Sequence, residues 1–185
     1  YSFWIDHLRN SSSYDARCAE NWALFRGDDM VPPVRARTVV GAQSISTLRL
    51  RVPDGWSAAL PYRRLSDGTF ALDDPHRRFD RPKGWMVVGK IGVLRERVAG
   101  SQVTVAGPVG QQLRRHDILA LLRWTLPTLR KIAGELPPRI LVVSAGDPMW
   151  RGGLSGSNSV FVHADRPLIS TDLSSPILHE LVHTA

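Results

Sequence analysis

The apolar residues of this chain change their period once, and that change limits the folds open to it. Up to Pro108 they alternate or run in short β-branched stretches. From Gln111 to Leu136 they recur at spacings of three, four and seven. In "TLRLRV", Leu48, Leu50 and Val52 share one face and Arg49 and Arg51 the other, the pattern of a half-buried strand. "PDG" at 53–55 marks a turn. "GWMVVGKIGVLRERV" and "SQVTVA" meet at Ala99-Gly100, which predicts a hairpin. Together these runs predict an antiparallel sheet or sandwich.

The helical stretch sets Ile118, Leu121, Leu122, Leu129, Ile132 and Leu136 against Arg114, Arg115, Arg123, Arg130 and Lys131. Pro127 inside it predicts a kink or two consecutive helices, and Pro137-Pro138 ends it. "RILVVSAG" has the size and branching of a buried strand. "SVFVHA" alternates as an edge or half-exposed strand does. The expected class is α+β. Residues 1–108 form an antiparallel, sandwich-like N-terminal domain. Residues 109–185 run helix, strand, glycine-rich loop, strand, helix.

With 43% hydrophobic and 22% charged residues the composition is that of a folded domain. No apolar run reaches the ~18 residues of a membrane span. Cys18 is the single cysteine, so neither an internal disulfide nor a cysteine metal cluster can form. The net charge of +7 is scattered in doublets such as Arg63-Arg64, Arg77-Arg78 and Arg114-Arg115, with few aromatics interleaved in a stacking pattern. That distribution predicts a solvated basic surface and no nucleic-acid partner.

The chemistry concentrates in "SSPILHELVHTA" at 174–185. Ser175 is a good N-cap and Pro176 suits the first helical position. In a helix that begins there, His179 and His183 stand one turn apart on one face, within reach of a single zinc ion. Glu180 is rotated about 100° from His179. It is the candidate general base, accepting a proton from the attacking water and passing one to a leaving amine. A tetrahedral catalytic zinc takes three protein ligands, and this motif supplies two. The remaining positions, Ile177, Leu178, Leu181 and Val182, are apolar, which predicts a buried helix.

These residues resemble the gluzincin metallopeptidases, most closely the glycyl-aminopeptidase-like branch. "WRGGLSGSNSVFVHADRPL" stands where that family has its Gly-Gly substrate-side strand, and "SSPILHELVH" where it has its zinc helix. The resemblance covers the order of elements from about residue 85 onward. It implies the first part of a thermolysin-like catalytic domain behind the β-rich one. It further implies a Zn2+ cofactor, His179 and His183 as ligands, Glu180 as catalytic residue, and a peptide or protein substrate along Gly152, Gly153, Leu154 and Ser155. Family aminopeptidases carry a Glu after the Gly-Gly that grips the substrate amine. Ser155 stands there, which leaves exo- and endopeptidase open. The family's third ligand, a Glu on the following helix, would lie beyond Ala185, so the expectation is a chain that stops inside its catalytic domain. The alternative is a non-catalytic β-sandwich with a degenerate peptidase-like binding module.

Other candidates read as structural. His163 is expected to face solvent from its strand. Asp165 and Asp172 are the nearest upstream carboxylates and read as turn formers or caps. Ser155 and Ser157 have no paired base in sequence. Trp150, beside the glycines, is the aromatic placed to line a cleft.

Overall fold

The computed structural model describes residues 2–33, 35, 37, 39–41, 45–72 and 81–184. The Arg77-Arg78 doublet lies outside them. In chain order the elements are β1 (His7–Leu8), β2 (Tyr14–Cys18), β3 (Trp22–Arg26), α1 (Gly27–Met30), β4 (Thr47–Leu48), β5 (Ser57–Ala59), β6 (Arg63–Arg64) and β7 (Phe70–Ala71). There follow β8 (Trp85–Gly89), β9 (Ile91–Val98), β10 (Ser101–Pro108), α2 (Arg115–Ala133), β11 (Arg139–Ala145), β12 (Gly153–Gly156), β13 (Ser159–His163) and α3 (Pro176–Val182). The class is α+β, as the change of period predicts.

Three sheets form. The first is antiparallel, in the order β1-β2-β3-β8-β5, and the small third sheet runs β4-β7-β6. The second runs β12-β13-β11-β10-β9; β9 and β12 pair antiparallel with their neighbours, whereas β10, β11 and β13 are parallel. Parallel neighbours require a crossover, and α2 supplies it between β10 and β11. The β9–β10 hairpin turns at Ala99 and Gly100 with φ of 50° and 90°, as its sequence predicts. Residue 108, near which a domain division is expected, is the last residue of β10. The hairpin before it is hydrogen-bonded into the second sheet.

The side-chain alternation of β11 shows how the layers stack. Ile140 and Val142 join Leu122, Leu126, Val160, Val162, Ile177 and Leu181 in the core under α2 and α3. Leu141, Val143 and Ala145 point the other way, against Trp22, Leu24, Trp85 and Phe161 between the first and second sheets. The Trp85 and Phe161 rings are 5.1 Å apart and tilted, a pairing worth about 0.5–1.5 kcal/mol beyond burial. The outer face of the first sheet packs Phe25, Met86 and Val88 against Phe70 of the third.

Four expectations are corrected. "SVFVHA" is no edge strand: β13 is buried along its whole length. The Gly-Leu-Ser-Gly segment, expected as a loop, pairs outside it as β12, and the first sheet covers its second face. Nor does Pro127 break the helix, and α2 is continuous. Pro127 lies on the solvent side, where water can take the unpaired carbonyl, while Leu122 and Leu126, both fully buried, hold the helix on the sheet. Finally, α3 is not buried all round. Ile177 and Leu181 are enclosed, but Val182 is 57% exposed, and both histidines face solvent. The same open side carries Trp124 and Ile132 of α2, 72% and 79% exposed.

Candidate active site

The helix that carries the motif starts as its sequence dictates. Ser175 is extended (φ −123°, ψ 118°) and its Oγ accepts the Leu178 N–H at 3.4 Å, with Pro176 at the first helical position. Ile177 and Leu181 anchor one face in the core. The opposite face presents His179 and His183. Beyond Leu181 the helix closes on its own carbonyl, which accepts both the Thr184 N–H (2.9 Å) and Thr184 Oγ1 (2.8 Å).

The Nε2 atoms of His179 and His183 lie 3.4 Å apart, and the rings meet edge-on with centroids 5.0 Å apart. This is longer than an ordinary N–H hydrogen bond. Two nitrogens each about 2.0–2.1 Å from one tetrahedral zinc would stand about 3.4 Å apart. The pair therefore fits two corners of such a shell.

Glu180 is half-buried and points to β12. A Cβ built on Gly153 would stand 3.1 Å from Glu180 Cγ and 3.5 Å from its Oε1. At Gly152 a Cβ would overlap the Trp150 indole. Each glycine of the pair therefore makes room for one named side chain. Leu154 turns into the core between the sheets, and its carbonyl accepts Trp85 Nε1–H at 2.9 Å. The Gly152 carbonyl accepts the His163 N–H at 2.9 Å. By the two-residue period of an antiparallel ladder, Gly153 and Ser155 turn their N–H and C=O groups to the open edge. A strand edge of this kind can pair with an extended peptide.

Between β12 and α3 lies a cleft of about 350 Å³, lined by Trp150, Arg151, Gly153, Arg166, His179 and Glu180. Its Trp150 wall is fixed by the N-terminal sheet. The Arg9 guanidinium stacks 3.7 Å from the Trp150 ring. The Trp150 N–H donates to Tyr14 C=O at 2.9 Å, and the Tyr14 N–H to Pro148 C=O at 3.0 Å. Trp150 thus lines the cleft, as its place in the sequence predicts.

The expectation for His163 is overturned. It is 1% exposed and shares the Phe161 face of β13, opposite the face on which α3 packs. Its Nδ1 accepts the Asp165 N–H at 3.2 Å, and its Nε2 stands 3.5 Å from Asp147 Oδ1. Burial pushes its pKa below the ordinary value, against the pull of Asp165 and Asp147. Asp172 does cap a turn, accepting the Ser174 N–H and hydroxyl at 3.1 and 2.7 Å. Among the described residues no group of three or more His, Cys, Asp and Glu converges on one point. The cleft also contains two residues that sequence reasoning missed, Arg151 and Arg166. Arg151 flanks the glycines and was there to be noticed. Arg166 lies on the loop after β13, and nothing in the linear pattern brings it to the cleft.

No family model matches this chain, and no curated protein matches it. Among solved structures it is similar to the crystal structure of an aminopeptidase N family protein from Idiomarina loihiensis, 16% identical, with a TM-score of 0.64. The match covers 95% of this chain and 32% of that one. The chain thus spans about a third of the protein it resembles and shares the fold of that part. Among the described residues, no helix is long and apolar enough to cross a membrane.

Proposed function

We propose that this chain contributes the HExxH half of a zinc-dependent peptidase site of the gluzincin type, similar to that of the glycyl-aminopeptidase-like branch. One observation carries the reading. Two imidazole nitrogens at the separation of tetrahedral ligands, 3.4 Å, stand on the helix whose Glu180 lies against an open strand edge. The fold of an aminopeptidase N family protein supports it.

In this reading His179 and His183 are metal ligands, and the third ligand comes from beyond this chain. A zinc ion held by them would supply Lewis-acid polarisation of the scissile carbonyl and of water. Glu180 holds a proton in transit, accepting it from the attacking water and giving it to the departing amine. The Gly152-Gly153-Leu154-Ser155 segment aligns the peptide as an added strand and fixes its carbonyl beside Glu180. Trp150 and α3 form the sides of the cleft.

The test is hydrolysis by the protein that carries this chain together with the remainder of its catalytic domain. A chelator should abolish turnover of a mixed peptide library and added zinc should restore it. Turnover that survives exhaustive chelation would refute the proposal.

A further inference from the structure

Two cations line the cleft, and the structure treats them differently. Arg151 is spent. Its Nε donates to Asp147 Oδ1 at 3.1 Å and its Nη2 to Oδ2 at 2.5 Å, a bidentate fork, and Asp165 stands 3.8 Å away. Arg166 is held by its main chain alone. Its N–H donates to His163 C=O at 3.0 Å, and its C=O accepts Arg114 Nη2–H at 2.8 Å. Among the described residues no carboxylate pairs with its guanidinium. The backbone is placed, and the charge at its end is left for something else.

The anions of the neighbourhood are committed elsewhere. Asp147 and Asp165 face Arg151 and His163, and Asp172 binds Ser174. Glu180 is the one carboxylate among the cleft-lining residues. On β12 itself the side chains are those of Gly, Leu, Ser and Gly, so the strand edge offers no anion to a substrate's ammonium group. A ligand laid along β12 therefore enters a site about 350 Å³ in size that Arg166 lines. A planar guanidinium grips a carboxylate through two parallel N–H···O bonds.

We propose that this cleft selects peptides bearing a carboxylate, which Arg166 holds while the chain pairs with β12. The inference rests on the peptidase reading of the same cleft and adds its substrate class. The carboxylate can be an acidic side chain or a free C-terminus, since Arg166 recognises the group that both share.

The experiment uses the protein in which the cleft is complete. Dye-labelled peptides of equal length and common sequence are compared by fluorescence anisotropy and by cleavage rate: one with an internal Glu and an amidated end, one neutral with a free C-terminal carboxylate, one neutral and amidated, one with Lys. At least one carboxylate peptide should bind roughly ten- to hundredfold more tightly than the neutral amide, and which one does identifies the source. Arg166→Ala should erase the preference and Arg166→Glu invert it toward Lys, with unchanged thermal melting. Arg97→Glu, on β9 at the far end of the sheet, makes the same change in net charge and should leave the preference intact. Equal affinity for all four peptides overturns the proposal, as does an equal response to Arg97→Glu and Arg166→Glu. Turnover without charge preference sinks the Arg166 assignment and spares the peptidase. Charge-selective binding without turnover does the reverse.

Discussion

Glu180 lies where a side chain on Gly153 would have to go: a Cβ there would stand 3.1 Å from Glu180 Cγ. The strand edge and the Glu180 side chain are thus fitted to each other through a missing methyl group. Gly153→Ala should leave the fold intact, because the group it crowds is a mobile side chain rather than backbone. The stability change should stay under about 1 kcal/mol, while kcat falls by roughly tenfold or more as Glu180 is displaced. Gly152→Ala should behave differently. Its Cβ would overlap the Trp150 ring, which Arg9 and the Tyr14 backbone hold in place, so unfolding stability should drop by about 1–3 kcal/mol. Melting curves and steady-state kinetics on both variants separate the two effects; equal melting temperatures would contradict this account.

Ser175 sets where α3 begins, through the bond from Leu178 N–H to its Oγ. Ser175→Ala should cost about 1 kcal/mol locally, seen as roughly fivefold faster hydrogen exchange at the Leu178 amide with little change at buried β11. An unchanged exchange rate at Leu178 would show that the cap does not hold the helix.

The burial of His163 predicts a fold sensitive to acid. Burial lowers its pKa below the ordinary 6.5, with Asp165 and Asp147 opposing and Arg151 adding to the shift. A histidine whose folded pKa is depressed binds fewer protons folded than unfolded. Its contribution is therefore complete above pH 6.5 and is lost as the pH falls through that value toward the folded one. Denaturant midpoints should decline between neutral and mildly acidic pH, and His163→Gln should flatten that slope. A parallel slope in the variant would assign the acid sensitivity to other groups.

Most of the architecture is legible in local pattern. The Ala99-Gly100 turn, the period of α2, the β-branched run of β11 and the Ser-Pro start of α3 each depend on neighbours in sequence, and each stands where the pattern puts it. The misreadings share a different cause. Whether β13 is an edge depends on Gly-Leu-Ser-Gly pairing beside it, and two glycines in four residues give that segment little strand propensity of its own. His163 looks like an exposed strand residue until the first sheet closes over its face. The cleft shows the same division. His179, Glu180, His183 and the glycine pair announce themselves by spacing, whereas Arg166 reaches them only because the loop after β13 returns toward α3.

The reading of His179 and His183 as ligands and Glu180 as base meets its most direct test in one paired measurement, zinc content and turnover on the same preparations of the protein bearing the complete site. The wild type should hold one zinc per chain and hydrolyse peptide. Glu180→Gln should keep the zinc and lose most turnover, while His183→Ala should lose both. A Glu180→Gln protein with wild-type turnover, or a His183→Ala protein that retains stoichiometric zinc, would contradict the account.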